Sequence, residues 1–471
     1  MSGNQKPEAA PPSTGLVKGL GLYGATSIVA GTMIGTAIFV VPANMLHHVG
    51  SPWRVIGVWA FAGLLSLFGA LGYSELGAAL PEAGGEYVYL HRAYGPLVGF
   101  LYGWTQFIVA KSASIAAIAT GFLLYLAYFA PMLRGVLWQV ELHLGGHALA
   151  LRVTGLQAGA TVMIVLLSGL NILGVRRSGA LQTVFTAAKI AVLGIIILLG
   201  LFLARGTMAH FSPAAAIAPS APGITGFGLA TISALWAYDG WNNLSMVAGE
   251  VENPQRNMPR ALIAGAILVV VVYLLVNLAY FYVLSPGQAV TSRTIAADTA
   301  RHLLGSYGGA FVAIGVLIST FATLNGSILS GSRIPFAQAR DGLFPRALAN
   351  IHPRFRTPAV SIAAQAVVAA IFALSGGYEA LYTKAIYSEW IFYALVTASL
   401  FVLRRREPEL ARPYRTWGYP WVPLIFIGLA IALLVDALFQ RRADALWCLA
   451  LVASGLPVYL LWTHFHRRQA G

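Results

Sequence analysis

The stretch Gly31-Thr32-Met33-Ile34-Gly35 lies in the middle of an apolar segment that runs from about Leu20 to Met45. About 20 apolar residues are enough for a helix to cross a lipid bilayer. A glycine inside a helix is less favourable than an alanine by about 1 kcal/mol. Two glycines four positions apart therefore weaken this helix at its centre. Taken alone, the pair is more typical of a small-residue face that packs against another helix.

A second apolar segment is interrupted in a similar way. It contains Trp236-Ala237-Tyr238-Asp239-Gly240-Trp241, in which an acid and a glycine stand at mid-span. Two interrupted spans, one near the start of each half of the chain, are typical of secondary transporters whose substrate binds between broken helices. Together, the two segments favour broken helices over simple packing.

The composition is that of a polytopic protein of the lipid bilayer. Of the 471 residues, 58% are hydrophobic and 10% are charged, and the mean hydropathy is +0.73. The single cysteine, Cys448, allows no disulfide within one chain. The sequence has no HExxH pair, nucleotide-binding loop or Ser-His-Asp arrangement, so we expect no metal, no cofactor and no enzymatic activity.

Twelve apolar spans predict an all-α polytopic membrane protein, with residues 1–15 as a disordered cytoplasmic tail. The spans lie near residues 20–46, 54–80, 97–129, 155–174, 179–204, 223–250, 259–284, 306–335, 358–374, 384–403, 419–439 and 444–463. With the N-terminus inside, the cytoplasmic side carries about twice as many Lys and Arg residues as the external side, which supports two cytoplasmic termini in the cell (inner) membrane. Topology then explains the net charge of +14, and no nucleic-acid partner is expected.

Two connections between spans carry helical signals. Residues 75–94, with the pair Gly84-Gly85, are amphipathic and predict a short helix packed on the cytoplasmic face. Residues 285–302 hold polar and small residues between two spans and predict an external helical cap.

Broken helices determine which substrates are expected. A break inside the bilayer frees backbone N–H and C=O groups that hydrocarbon cannot satisfy. The N–H groups at a half-helix start suit a carboxylate, and the carbonyl groups at a half-helix end suit an ammonium. The pair of breaks therefore predicts a small zwitterion or cation as the substrate.

Three ionisable residues, Lys189, Asp239 and Glu389, lie deep in the spans, where each costs roughly 3 kcal/mol or more. Lys189 is either a fixed cation in place of a transported sodium, tied to the broken first helix, or a snorkelling lysine. Asp239 contacts a substrate cation, carries a proton or caps the following half-helix. Glu389 either lines the site or pairs with Lys384. Lys111, in the third span, has no assigned role, and both lining a polar cavity and pairing with an acid are open.

Aromatic residues also stand beside the breaks. Trp236, Tyr238, Trp241 and Trp390 are placed so that a ring can close over a substrate or over its cation. For most other Trp and Tyr residues, core packing or an interfacial belt is the default expectation.

Five separated motifs stand in order along the chain. They are Gly31-Thr-Met-Ile-Gly-Thr-Ala-Ile-Phe39, Tyr73-Ser-Glu-Leu-Gly77 with Gly84-Gly-Glu-Tyr87, Trp236-Ala-Tyr-Asp-Gly-Trp-Asn242, Asn325-Gly-Ser327 with Ser332-Arg333, and Pro408-Glu-Leu-Ala-Arg-Pro413. Over roughly residues 16–425, the sequence resembles the amino acid–polyamine–organocation superfamily, and more closely its L-type amino acid transporter family.

The resemblance implies a LeuT-type fold, in which five helices are repeated in inverted orientation and two more follow. Residues 16–204 then form the first repeat, residues 223–404 the second, and residues 405–471 the last two helices and the C-terminal tail. The resemblance also implies sodium-independent exchange of amino acids by alternating access.

The resemblance further implies roles for single residues. By motif position, the N–H groups of Gly35, Thr36 and Ala37 bind the substrate carboxylate. The carbonyl groups of Met33 and Trp236 bind its amino group, and Trp236 is the aromatic gate. The full predicted substrate-binding set is Met33, Ile34, Gly35, Thr36, Ala37, Trp236, Ala237, Tyr238, Asp239 and Glu389.

Other positions refine this comparison. Lys189 falls where the family carries a lysine in place of the second sodium site, and Asp239 is similar to the acid of the branch that also takes dibasic amino acids. Ala37 stands where the family usually has glycine, so its methyl group narrows the carboxylate pocket. Glu389 falls where many members have a neutral residue. Its carboxylate either adds to a preference for cationic substrates or is neutralised by a nearby group.

Animal members of the family bind a glycoprotein subunit through a cysteine in the external loop after the third helix. Residues 130–154 of this chain contain no cysteine. We therefore expect no disulfide-linked glycoprotein partner, and a prokaryotic source. A proton-coupled amino acid or polyamine transporter is the alternative, with Asp239 or Glu389 as the carrier, and a transport-dead sensor or a membrane enzyme is a distant one.

Overall fold

The structure is a computed structural model that describes residues 16–144, 147–203, 206–221, 223–292, 294–375, 378–440 and 442–470. Its α-helices are numbered in chain order. The helices up to the second break region are α1 (Leu22–Met33), α2 (Ala37–Val49), α3 (Pro52–Ala79), α4 (Glu86–Tyr94), α5 (Pro96–Thr105), α6 (Lys111–Leu126), α7 (Gly155–Ile172), α8 (Val175–Leu198), α9 (Gly223–Tyr238) and α10 (Asn243–Met246). The later helices are α11 (Pro254–Val283), α12 (Pro286–Thr291), α13 (Ile295–Leu304), α14 (Gly308–Gly331), α15 (Arg333–Arg340), α16 (Ala359–Ser375), α17 (Tyr378–Arg406), α18 (Trp421–Gln440) and α19 (Arg442–Ala470).

Seven helical segments of the described residues are long and apolar enough to cross a membrane. They are α3, the α5–α6 stretch, α7, α8 with its extension, α11, the α13–α15 stretch and most of α19. The helices α1 and α2 form one further span that is bent by 41° at their break. The other predicted spans fall on α9–α10, α16, α17 and α18, which are helical as well. The all-α membrane class is confirmed, and the count of twelve spans stays a prediction.

The first predicted break is present. The helix α1 ends at Met33, residues 34–36 are not helical, and α2 begins at Ala37. The last helical bond of α1 joins the N–H of Ile34 to the carbonyl of Ala30 at 3.0 Å. The chain therefore unwinds at Gly35, the second glycine of the stretch.

The second predicted break is present too. The helix α9 ends at Tyr238, and residues 239–242 form a turn before the short helix α10. Gly240 has a φ of +111°, a conformation that residues with a side chain rarely adopt. A Cβ atom added there would also lie 3.0 Å from the backbone carbonyl carbon of Thr32. Glycine is therefore required where the second break meets the first.

Two hydroxyl groups hold the breaks together. The hydroxyl of Thr32 lies 2.7 Å from the carbonyl oxygen of Gly240. The hydroxyl of Tyr273, on α11, lies 2.9 Å from the Met33 carbonyl oxygen and 3.0 Å from that of Ala237. The ends of α1 and α9 are thus fixed to each other and to α11.

The two glycines of the first stretch have different surroundings. A Cβ atom on Gly31 would lie 2.3 Å from side-chain atoms of both Gln182 and Thr186, on α8. A Cβ atom on Gly35 would have Thr323 as its nearest neighbour, at 3.8 Å. Gly31 therefore allows α1 to pack closely on α8, as a small-residue face does, whereas a Cβ atom on Gly35 would make only ordinary van der Waals contacts.

The helical predictions for the two connections are confirmed. The helix α4 follows Gly84 and Gly85, which both have positive φ angles. The helices α12 and α13 lie in the connection at residues 285–302. A Ser285–Gln288 capping box begins α12, which explains its start.

One connection departs from the all-helical prediction. Strands β1 (Val136–Leu144) and β2 (His147–Thr154) pair as an antiparallel hairpin. The sequence carried a signal for it, since two runs of suitable length flank the pair Gly145-Gly146. The prediction treated residues 130–154 as an external loop between two spans and assigned no strands there.

Candidate functional site

A small cavity of about 40 Å³ lies between the two breaks. Its wall is formed by the end of α1, the start of α2, the second break, and residues of α6 and α14. Six of the predicted site residues line it: Met33, Gly35, Thr36, Ala37, Trp236 and Asp239. One water molecule needs about 10–15 Å³ of such cavity volume. The cavity therefore has room for a few waters or for a small solute.

Two predicted residues of α9 lie away from the cavity lining. The Ala237 carbonyl oxygen lies 3.0 Å from the Tyr273 hydroxyl, as described above. The ring of Tyr238 is buried, with its centre 5.5 Å from that of Trp59 and 5.1 Å from that of Tyr273. Both residues hold the broken helix in place.

The start of α2 is suited to an anion. Gly35, Thr36 and Ala37 stand at this helix start, where the first N–H groups have no acceptor within their own helix. The first turn of α2 carries no acidic residue, so the partial positive charge of the helix end is not offset there. This side of the cavity can bind a carboxylate.

The ends of α1 and α9 are suited to a cation. Met33 and Trp236 lie in the last turns of these helices, where the carbonyl groups carry partial negative charge. The Met33 carbonyl accepts from Tyr273, and the Trp236 carbonyl accepts from the N–H of Asp239 at 3.3 Å. A carbonyl oxygen has two lone pairs, so each can still accept from an ammonium group.

Lys189, on α8, is fully buried against the first break. Its ammonium lies 2.7 Å from the Gly31 carbonyl oxygen and 2.6 Å from that of Ile34. The Ser319 carbonyl oxygen at 3.0 Å and the Thr323 hydroxyl at 3.2 Å, both on α14, complete its surroundings. The ammonium thus joins α8 and α14 to the unwound chain, and the predicted site residue Ile34 faces it rather than the cavity.

A chain of polar contacts begins and ends at the cavity wall. The Tyr393 hydroxyl lies 2.6 Å from Oδ1 of Asp239 and 3.3 Å from Oε2 of Glu389. Oε1 of Glu389 lies 3.5 Å from the ammonium of Lys111, which donates to Oδ1 of Asn243 at 3.0 Å. Asp239, Lys111 and Asn243 line the cavity. Glu389 and Tyr393 lie behind them, almost fully buried.

These contacts bear on alternatives that the sequence left open. Glu389 pairs with Lys111, and the side chain of Lys384 lies outside the described part of the structure. The interpretation of Asp239 as a helix cap is wrong, because the residue before α10 is Asn242 and no side chain caps that helix.

Comparison with known proteins gives the family. A family model described as amino acid permease matches residues 20–452 of the chain. The chain belongs to the amino acid permease family. The resemblance to the amino acid–polyamine–organocation superfamily is thereby confirmed, and the protein is a transporter rather than an enzyme.

Relatives of this permease are similar over nearly their whole length. It is 33% identical over 463 residues to the b(0,+)-type amino acid transporter 1 of Rattus norvegicus, covering 98% of this chain and 91% of the relative. It is 33% identical over 449 residues to the serine/threonine exchanger SteT of Bacillus subtilis (strain 168), with 94% and 97% covered. It is 32% identical over 465 residues to the large neutral amino acids transporter small subunit 2 of Homo sapiens, with 97% and 84% covered.

Several residues of the site were not predicted as site residues. Thr32, Lys111, Ser114, Asn243, Thr323 and Ser327 all line the cavity. All six are polar residues inside apolar spans. In the sequence, this feature was conspicuous only for Lys111, because it is charged. Small polar residues in such spans more often bond within their own helix, as the hydroxyl of Ser66 does with the Ala62 carbonyl.

Proposed function

We propose that this permease is a sodium-independent exchanger that moves neutral L-amino acids by alternating access. The proposal extends to dibasic L-amino acids as further substrates. The observation that carries the proposal is the meeting of two half-helix ends at one cavity. The start of α2 suits a carboxylate, and the ends of α1 and α9 suit an ammonium. An L-amino acid carries both groups on one carbon atom, so it satisfies both ends at once.

The absence of a sodium requirement is inferred from Lys189. Its ammonium lies among four oxygen atoms at the first break, an arrangement that would also suit a sodium ion. A cation fixed to α8 needs no ion from solution to balance these oxygens. The relative named as a serine/threonine exchanger supports exchange, and the small cavity supports a small substrate.

Transport into proteoliposomes tests this proposal. Purified protein is reconstituted, the vesicles are loaded with unlabelled L-serine, and uptake of labelled L-serine is measured in sodium and in choline buffers. We expect uptake only into loaded vesicles and equal rates in both buffers. Empty vesicles that take up L-serine when a pH gradient is applied would instead support the proton-coupled alternative.

We also propose the cell (inner) membrane as the location, with both termini in the cytoplasm and no disulfide-linked subunit. The Lys and Arg asymmetry supports the orientation. The external connection at residues 130–154 contains no cysteine, which supports the absence of a disulfide-linked subunit. A protease-accessible tag at either terminus, tested in sealed spheroplasts, should be cleaved only after lysis.

A further inference from the structure

The polar chain behind the cavity has more acceptors than protons. A tyrosine hydroxyl carries one proton, and the shorter contact, from Tyr393 to Asp239, takes it. The hydroxyl oxygen then faces Oε2 of Glu389 with its lone pairs. An ionised carboxylate has no proton to donate, whereas a protonated Glu389 donates to Tyr393 and completes the chain.

The charges around Glu389 lead to the same conclusion. Lys111, on α6, pairs with Glu389 at 3.5 Å, and Tyr393 links Glu389 to Asp239. The carboxyl group of Glu86, on α4, and the hydroxyl of Tyr102, on α5, act on Glu389 electrostatically. Glu86 has its own donors, which are Tyr73, Tyr102 and Asn242. Among the described residues, Lys111 pairs with Glu389, and the partner of the Asp239 carboxylate is the neutral hydroxyl of Tyr393. One ammonium thus stands beside two linked carboxylates, and a buried charge without a full partner is costly.

We propose that Asp239, Tyr393 and Glu389 form one site for a single positive charge, filled by a proton when a neutral amino acid is bound and by the side-chain ammonium of a dibasic one. The inference rests on the proposed function, since it needs an amino acid in the cavity. Asp239 lines the cavity and Tyr393 connects it to Glu389, so an ammonium beside Asp239 removes the need for the proton. The O–H bond of the Glu389 carboxyl group breaks, and the proton leaves to water.

The test compares two substrates that differ at one group. L-2,4-diaminobutyrate and L-homoserine have side chains of similar size, one ending in an ammonium and the other in a hydroxyl. Their competition against labelled L-serine is measured in proteoliposomes from pH 5.5 to 7.5. Because replacing homoserine by diaminobutyrate releases one proton, the ratio of their affinities should change about tenfold per pH unit in favour of diaminobutyrate as the pH rises.

The outcomes separate this inference from the proposed function. A ratio that stays constant within about twofold over this pH range overturns the inference and leaves amino acid exchange intact. Binding of homoserine with no binding of diaminobutyrate at any pH overturns it as well. Failure of every amino acid to bind overturns the proposed function itself.

Variants locate the proton. Glu389→Gln and Tyr393→Phe should each make the affinity ratio independent of pH, whereas Glu82→Gln, which removes an exposed carboxylate, should keep the tenfold change. A pH dependence that persists in Glu389→Gln overturns the assignment. The wild type supplies a second measurement that needs no variant. Diaminobutyrate added to homoserine-saturated protein in weak buffer should release about one proton per protein, and release of less than about a tenth overturns the inference.

Discussion

Lys189 shows what one residue contributes at the first break. Removing its side chain leaves the carbonyl groups of Gly31, Ile34 and Ser319 buried without this donor. The Thr323 hydroxyl stays 3.0 Å from each of these oxygens, so what each oxygen loses is the hydrogen bond to a charged donor, worth about 1.5–3 kcal/mol. The unwound segment would then lose both its charge balance and its attachment to α8.

We therefore predict that Lys189→Ala reduces exchange to below a tenth of the wild-type rate. The protein should still reach the membrane, since the helices around the break keep their apolar packing. L-serine exchange in proteoliposomes measures the effect, and Lys18→Ala, at an exposed lysine, is the control. Full exchange by Lys189→Ala would contradict the role given to this lysine.

A second prediction at this scale concerns Asp239. Asp239→Asn removes a negative charge from the cavity wall and keeps the size of the side chain. Uptake of L-ornithine should fall by at least about tenfold more than uptake of L-serine, because only L-ornithine carries a side-chain cation. Parallel uptake assays on the same protein preparation measure both. An equal loss for the two substrates would indicate a structural role instead.

At the residue scale, the sequence revealed side chains that are unusual for their place. An acid at mid-span, Asp239, and a deep lysine, Lys189, are costly there and so drew attention. Tyr273 and Tyr393 drew none, because a tyrosine in a membrane span is ordinary. Their importance comes from the carbonyl and carboxylate groups that the fold brings beside them. These groups belong to residues that are separated from the tyrosines by between 36 and 240 positions in the sequence.

At the element scale, the two breaks were predictable because each combines residues that a helix interior disfavours. The hairpin at Val136–Thr154 was missed, and the pairing of Glu389 with Lys111 was also out of reach. Local signals determine where a helix stops. Which face of α17 meets which face of α6 depends on packing across the whole bundle.

The two glycines of the first break give a prediction for α1 and α2. Gly31→Ala places a methyl group 2.3 Å from atoms of α8 and should cost about 1–3 kcal/mol of stability, as overpacking does. Gly35→Ala has room in the fold, at 3.8 Å from Thr323, and should instead raise the KM for L-serine several-fold by narrowing the cavity. Melting temperature in detergent and the KM are measured for both variants. Loss of stability in Gly35→Ala alone would reverse these assignments.

At the scale of the whole molecule, a buried ion pair joins distant parts of the chain. Arg333 donates to both carboxylate oxygens of Glu250, at 2.7 and 3.1 Å, and both side chains are fully buried. The backbone carbonyl of Glu250 accepts from the N–H groups of Gly19 and Leu20. The start of the described chain, the segment after α10 and the start of α15 therefore meet at this pair.

Breaking the pair should be costly. Arg333→Leu leaves the Glu250 carboxylate buried without its partner, and we expect a loss of about 3–5 kcal/mol in unfolding free energy. The matched control is Arg92→Leu, which removes a similar two-bond contact to Glu407 from a partly exposed position and should cost about 1 kcal/mol or less. Thermal unfolding in detergent compares the two. Equal shifts in Tm would show that the buried pair contributes no more to stability than the partly exposed pair does.

The overall architecture was the most predictable level, because hydropathy and the motif order both depend on the sequence alone. The membrane class and the family are confirmed. The twelve spans and the two inverted repeats stay predictions. Several helices, among them α9 with its 16 residues, are too short to be recognised as spans by their own length.

The unwound ends of α1 and α9 also bear on how such a protein diversifies. A peptide carbonyl is present whatever residue the gene encodes, and a peptide N–H is lost only when proline is introduced. If the proposed function holds, substitutions at cavity side chains such as Asp239, Lys111 or Ser327 can change the preferred amino acid while the backbone contacts to the shared α-amino and α-carboxylate groups stay the same. Substrate preference at such a site can therefore change by single substitutions, because the contacts to the groups that all amino acids share are made by the backbone.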